Sequence, residues 1–254
     1  MSEKLILITN DDSVNAKGIR SLIQTAKQFG RVVVVAPDKA QSGMGHAITI
    51  NHPLRLNRVD LFDGVESYAC SGTPVDCVKL AIYEVLKCKP DLLLSGINHG
   101  ENTSTNVLYS GTMSAAIEGA MEGIHSIGFS LADYASDADF SACQPFIKKI
   151  ITKTLDSGLA ANTCLNVNFP NLSIDKIKGV RICSQAHAFW ADRFDKRLDQ
   201  FGNPYFWLTG EFAEVNPQEN TDLDALKNGY VSIVPTHFDL TNYQAIQTLQ
   251  DWVI

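Results

Sequence analysis

Residues 5–12 read LILITNDD, an almost wholly apolar run that ends in two acidic residues. A run without polar alternation marks a strand covered on both faces. Ile19, Leu22, Ile23 and Ala26 follow at helical spacing, and Gly30 supplies the stop. Arg31–Ala36 (RVVVVA) is a second continuous β-branched run, closed by Pro37. Strand, helix and strand within about 35 residues form a βαβ unit, which requires a right-handed crossover and a parallel sheet.

The pattern repeats down the chain. Ser67–Cys70 reads as a short strand. Thr73 stands as N-cap before Pro74, with Asp76 in the first turn of a helix that runs through Val78, Ala81, Ile82 and Val85. Asp91–Ser95 is a third buried strand, Met113–Glu122 a helix, and Ile127–Leu131 a strand. Phe146, Ile147, Ile150, Ile151 and Leu155 then give another amphipathic helix. After about Asn162 the character changes. Cys164–Phe169, Gly179–Cys183 and Tyr230–Val234 read as strands, and Thr221–Asn228 as a short helix stopped by Gly229. Residues 187–215 are aromatic-rich and alternating, with a turn at Gly202-Asn203-Pro204. That is a hairpin, either folded on its own domain or exposed for a partner. The expected fold class is α/β: a mostly parallel sheet flanked by helices, with a smaller C-terminal part containing an extended β-hairpin.

Composition narrows the function classes. The 254 residues carry 21 Lys+Arg against 28 Asp+Glu, a net charge of −7, and are 45% hydrophobic, which excludes a disordered chain. An acidic balance without a basic run argues against a stable nucleic-acid partner. No apolar stretch approaches the roughly 18 residues of a membrane span, and the N-terminal run turns acidic too soon for a signal peptide. Six cysteines without a CxxC pair read as ordinary thiols of a reducing compartment, so the expected location is cytoplasmic.

In an open parallel sheet, ligands sit beyond the carboxyl ends of the strands. Four oxygen- and glycine-rich segments follow the apolar runs: Thr9–Ser13, Pro37–His46, Cys70–Pro74, and Gly96–Gly100 leading to Tyr109–Thr112. All four are expected to converge on one sheet edge. Adjacent carboxylates are costly to bring together without a cation between them. Hard oxygen donors lacking a Cys/His set favour Mg²⁺ or Mn²⁺. The Asp11-Asp12 dipeptide alone fits a second reading equally well, in which one Asp caps the next helix and the other is solvated. Ser110-Gly111-Thr112 stands before a small-residue helix whose N-terminus offers free N–H groups to an anion, or is simply capped by them. No GxxxxGK[ST], GxSxG or HExxH motif is present. His46 and His99 lie in the same loops as candidate proton donors or substrate contacts. Trp190 and Trp207 read first as hairpin packing and second as a base-stacking platform.

Together, TNDD at 9–12, Ala36-Pro37-Asp38 leading to Gln41-Ser42-Gly43, SGTPVDCV at 71–78, SGIN at 95–98 and YSGT at 109–112 resemble the SurE (survival protein E) family of 5'-nucleotidases. Thr221-Asp222 to Gly229–Ile233 is similar to the family's C-terminal pattern. The resemblance implies a Rossmann-like catalytic core, residues 1–165, and a C-terminal part, residues 166–254, with an oligomerisation hairpin at about 187–215 and a final strand and helix. It implies a phosphomonoesterase that hydrolyses nucleoside 5'-monophosphates by metal-activated water attack. One divalent cation per subunit, Mg²⁺ or Mn²⁺, would be held by Asp11, Asp12, Ser42 and Asn98, with Asp11, Asp12 and Asn98 catalytic. Ser110, Gly111 and Thr112 would hold the phosphate, joined by Gly43 and His46 as substrate contacts. The implied assembly is a homodimer or homotetramer.

The alternative is a non-catalytic nucleotide- or phosphate-binding protein, or a receiver-like signalling module. Receiver domains follow a PDLLL-type strand with an acceptor Asp, whereas Pro90–Leu94 is followed here by Ser95-Gly96. A DxD nucleophile motif is also missing, because Asp11 has Ser13 two residues on.

Overall fold

A computed structural model describes residues 3–252. Strands β1 (Leu5–Thr9) and β2 (Arg31–Pro37) flank helix α1 (Lys17–Ala26) and pair in parallel, as the apolar runs predict. A short strand β3 (Leu56–Val59) returns antiparallel to β4 (Glu66–Cys70) and forms one sheet edge. Its four residues, LNRV, include an exposed Asn57 and Arg58, too short and polar a stretch to stand out in the sequence. Helix α2 (Pro74–Leu80) opens with a complete capping box between Thr73 and Asp76, and widens into π-helical turns over Ala81–Leu86. Strand β5 (Leu92–His99), helix α3 (Gly111–Met121), strand β6 (His125–Leu131), helix α4 (Gln144–Ser157) and strand β7 (Thr163–Phe169) follow.

Further along come β8 (Val180–Ile182), the hairpin β9 (Ala188–Leu198) and β10 (Pro204–Glu214), α5 (Asp222–Lys227), β11 (Val231–His237) and α6 (Tyr243–Leu249). The main sheet runs β3-β4-β2-β1-β5-β6-β7-β11-β8. Among the described residues only the β3–β4 and β7–β11 pairs of this sheet are antiparallel. A division after residue 165 falls inside β7, and β8 and β11 of the C-terminal part continue the same sheet.

Alternate residues of the central strands serve opposite faces. Ile6, Ile8, Leu92 and Leu94 pack with Ile19, Leu22, Ile147 and Ile151 of α1 and α4. Leu7, Val35 and Leu93 pack with Cys77, Val78 and Ala115 of α2 and α3. The chain moves outward from β1 through β2 to β4, then returns to place β5 on the other side of β1. That reversal opens a crevice at the carboxyl ends of β1 and β5.

The hairpin pairs from Pro204↔Leu198 to Glu214↔Ala188 as a separate two-stranded ribbon. Its turn lies one step earlier than the sequence suggests. The Asp199 carboxylate accepts from the backbone N–H groups of Phe201 and Asn203, so Pro204 begins the return strand. Most of its side chains are exposed, Phe194 and Trp207 among them.

Helix α1 meets β5 through a glycine. A Cβ built on Gly18 would lie 1.9 Å from the carbonyl oxygen of Ile97, immediately before Asn98. Because the obstacle is backbone, Gly18→Ala is expected to destabilise the fold by about 2 kcal/mol or more in urea unfolding. An unchanged midpoint would show that this helix–strand contact is looser than described.

Candidate active site

At the end of β1 the chain leaves the strand in a tight turn. The Asn10 side chain donates to the Ser13 carbonyl at 2.8 Å, and Ser13 takes a positive φ of 97°. Gln41 N–H donates to the Asp11 carbonyl at 2.8 Å, tying this turn to the loop after β2. Successive strand residues would face opposite ways. The turn instead brings Asp11 and Asp12 to the same cavity, of about 860 Å³.

Asp11 is 5% exposed, and Thr112 Oγ1 donates to its Oδ1 at 2.5 Å. Burial, and secondly the charge of Asp12, push the Asp11 carboxyl up to about 6, against the pull of the Thr112 hydroxyl. The N-terminus of α3 abuts it directly. A Cβ on Gly111 would come within 2.7 Å of Asp11 Cβ and 2.9 Å of Oδ2, so only glycine lets the helix approach this closely. Ser110 caps α3 by accepting from Met113 N–H at 3.0 Å. The reading in which one of the pair caps the next helix is not realised, since α1 begins beyond Ala16 without a side-chain cap.

The β5 end supplies the opposite wall. Asn98 Nδ2 donates to the carbonyls of His99 (3.1 Å) and Gly100 (2.8 Å), which leaves its Oδ1 available. Asp12 Oδ2 accepts from His99 N–H at 3.1 Å and pairs with His99 Nδ1 at 3.0 Å. Ser42, Gly43 and Ser110 complete this polar end of the cavity, where no lysine or arginine contributes to the lining.

Three of the four strand-end segments therefore line the cavity; the fourth supports it. Thr73 Oγ1 donates to the Ala47 carbonyl, and the buried Asp76 carboxylate accepts from Thr49 N–H and Oγ1. These bonds moor the loop that carries Ser42 and Gly43. Of the remaining expected site residues, Gly111 and Thr112 lie behind Asp11 and outside the cavity lining. His46 also stands outside it, with Nε2 2.9 Å from Oε2 of the buried Glu118, which Lys79 also contacts. Burial opposes ionisation of Glu118, but the bonds from His46 and Lys79 outweigh it and hold the carboxyl below its usual value.

The far wall is aromatic. Phe189 and Trp190 of β9 and Leu208 of β10 line the same cavity as Asp11 and Asp12. Trp190 Nε1 donates to Asn106 Oδ1 at 2.9 Å, which fixes the plane of the indole. The hairpin base is fastened by Ser104, whose hydroxyl donates toward the Ala186 and Ala188 carbonyls at 2.9 Å. It is also held by Asp222, which accepts from Ser104 N–H and Ala186 N–H. The packing reading of Trp190 that the sequence favours does not show this wall; its place at the hairpin base, two residues beyond the buried Ala188, is the signal that does.

The donor set fits a hard divalent cation. Two carboxylates share one recess whose described lining holds no lysine or arginine, and Asn98 turns an amide oxygen free beside them. Among the described residues no group of three or more His, Cys, Asp or Glu is placed to hold a metal. Two carboxylates completed by hydroxyl and amide oxygens make a different set, suited to Mg²⁺ or Mn²⁺ more than to zinc.

A family model described as survival protein SurE matches residues 6–192. The chain is 56% identical over 253 residues to the 5'-nucleotidase SurE of Flavobacterium psychrophilum, covering 99% of this chain and 98% of that protein. With the 5'-nucleotidase SurE of Chlorobium chlorochromatii it shares 46% identity over 247 residues, 97% of this chain and 90% of that one. The crystal structure of the SurE protein from Aquifex aeolicus is similar at a TM-score of 0.84 and 40% identity, over 97% of this chain and 98% of the other.

The raised Asp11 carboxyl makes a testable demand on the metal-stripped protein. From 3.8 up to about 6 the folded state binds this proton more tightly than the unfolded chain, so stability falls as pH rises through that window. Above it the cost is on the order of 3 kcal/mol. In urea unfolding with chelator present, Asp11→Asn is expected to flatten that decline. An equal decline in the variant would assign it to other groups.

Proposed function

The chain belongs to the SurE family, and from that membership and the two-ended cavity we propose that it hydrolyses nucleoside 5'-monophosphates to nucleoside and inorganic phosphate. The enzyme is a 5'-nucleotidase, a phosphoric monoester hydrolase. The observation that carries the substrate reading is the union in one cavity of an acidic, hydroxyl-lined end with an aromatic wall. A nucleoside monophosphate has the same division between a small anion and a flat, apolar-faced base. Neither a receiver-like module nor a passive binder is favoured, since a receiver lacks an acceptor here: β5 passes through Ser95, which is fully buried.

Asp11, Asp12, Ser42 and Asn98 would hold one Mg²⁺ or Mn²⁺ per chain. Such an ion, when bound, neutralises charge on the phosphoryl oxygens and acidifies a water enough to attack phosphorus. Asp11, held by Thr112 at one oxygen, keeps Oδ2 free to orient the attacking water and accept its proton. Ser110 and Gly43 face the phosphate, while Gly111 and Thr112 act from behind through Asp11 and the positive end of the α3 dipole. With no arginine in the described lining, these groups would carry the charge stabilisation together with a bound ion. Phe189 and Trp190 receive the base. His46 acts at one remove, by tying its loop to Glu118 on α3.

The exposed faces of the hairpin, with Phe194, Leu198, Phe206 and Trp207, support a homodimer or homotetramer. Six free thiols support a reducing, cytoplasmic setting. Among the described residues no helix is long and apolar enough to cross a membrane.

Phosphate release from a panel of nucleoside monophosphates, with Mg²⁺ or Mn²⁺ and then with EDTA, tests the reaction. Metal-dependent release that Asp11→Asn lowers about 1,000-fold or more is expected; near-normal turnover by the variant would overturn the assignment. Trp190→Ala is expected to raise KM for nucleotides about tenfold, while leaving p-nitrophenyl phosphate hydrolysis within about twofold. Equal losses on both substrates would remove the base-stacking role.

A further inference from the structure

We propose that His99 is a positioning residue for the divalent cation: it pins one oxygen of Asp12 so that the other is presented for coordination. The proposal rests on the metal set assigned above, and concerns a side chain outside that set. Asp12 Oδ2 receives two donors from the same residue, the backbone N–H of His99 at 3.1 Å and Nδ1 at 3.0 Å. Oδ1 is left as the oxygen free to coordinate.

Geometry assigns the tautomer. A proton on Nδ1 makes a bond to the carboxylate, whereas a proton on Nε2 would set a lone pair against it and bury an unpaired donor. Nε2 is buried and has no protein partner, so nothing on that side of the ring competes for its orientation. The ring is instead held by Phe140, buried and edge-on, with centroids 5.0 Å apart and planes at 90°.

The same turn orients a second ligand. Asn98 Nδ2 is held by the His99 and Gly100 carbonyls, which turns Oδ1 free. Residues 98–100 thus aim an amide oxygen and, through His99, a carboxylate oxygen from the turn after β1, 87 positions away in sequence. Any residue at position 99 would keep the backbone donor; only the side chain supplies the second one. Without it, Asp12 can rotate about its side-chain torsions, and the set loses preorganisation.

The test is Mn²⁺ binding to metal-stripped protein without substrate, read by the electron paramagnetic resonance of free Mn²⁺. His99→Leu removes the donor at similar bulk, and is expected to weaken Mn²⁺ binding about 10- to 100-fold. His99→Asn puts an amide N–H close to the Nδ1 position, and is expected to bind within about threefold of wild type, whereas His99→Gln, reaching toward Nε2, binds as weakly as the Leu variant. The Asn–Gln comparison carries the test if the Leu variant fails to fold. A Leu variant that binds like wild type, or Asn and Gln variants that bind alike, overturns the role of His99 while leaving the metal set standing. Wild-type protein that binds no Mn²⁺ overturns the metal set itself.

Discussion

The carboxylates of Asp11 and Asp12 sit together in a partly buried turn, a placement that desolvation and Coulomb repulsion both oppose. The structure around them is built to hold that placement. Thr112 donates to one carboxylate, His99 to the other, and the Asn10 side chain closes the turn that brings them together. Gly111 lets the N-terminus of α3 reach Asp11, and Gly18 lets α1 press against the backbone that leads to Asn98. These contacts come from four different elements, yet they serve one electrostatic arrangement. A cation bound in this recess would relieve the repulsion between the two carboxylates, which would link the cost of the fold at this point to its chemistry.

The second half of the cavity has a different origin. The ribbon β9–β10 makes little use of the main core and is fastened at its base by Ser104 and Asp222. Burial raises the Asp222 carboxyl, against the pull of backbone N–H groups that include those of Ser104, Ala186 and Leu223. A buried carboxylate that spends its bonds on the 104–105 loop and the hairpin base sets the distance between Trp190 and the acidic end. This one side chain, outside the cavity lining, thus bears on both stability and cavity shape.

Much of this was legible along the chain. LILIT, RVVVVA and DLLL are continuous apolar runs because their strands are covered on both faces, and the polar residues after them mark the functional edge. Thr73, Pro74 and Asp76 announced a helix start through local chemistry alone, and the capping box is there. What escaped was whatever depended on distant partners. His46 looks like a cavity residue until Glu118, 72 positions on, claims it. Trp190 looks like packing until Asn106, 84 positions back, turns its ring toward the site. β3 and the start of β10 were missed or shifted because short polar strands and long turns carry little periodicity.

Crystals grown with Mn²⁺ and measured for anomalous scattering would address the metal set most directly. The account predicts a single strong peak per chain, within about 2.3 Å of oxygens from Asp11, Asp12, Ser42 and Asn98. A peak among other residues, or a Mn²⁺-dependent enzyme whose Asp11 and Asp12 carboxylates bind no metal, would contradict it.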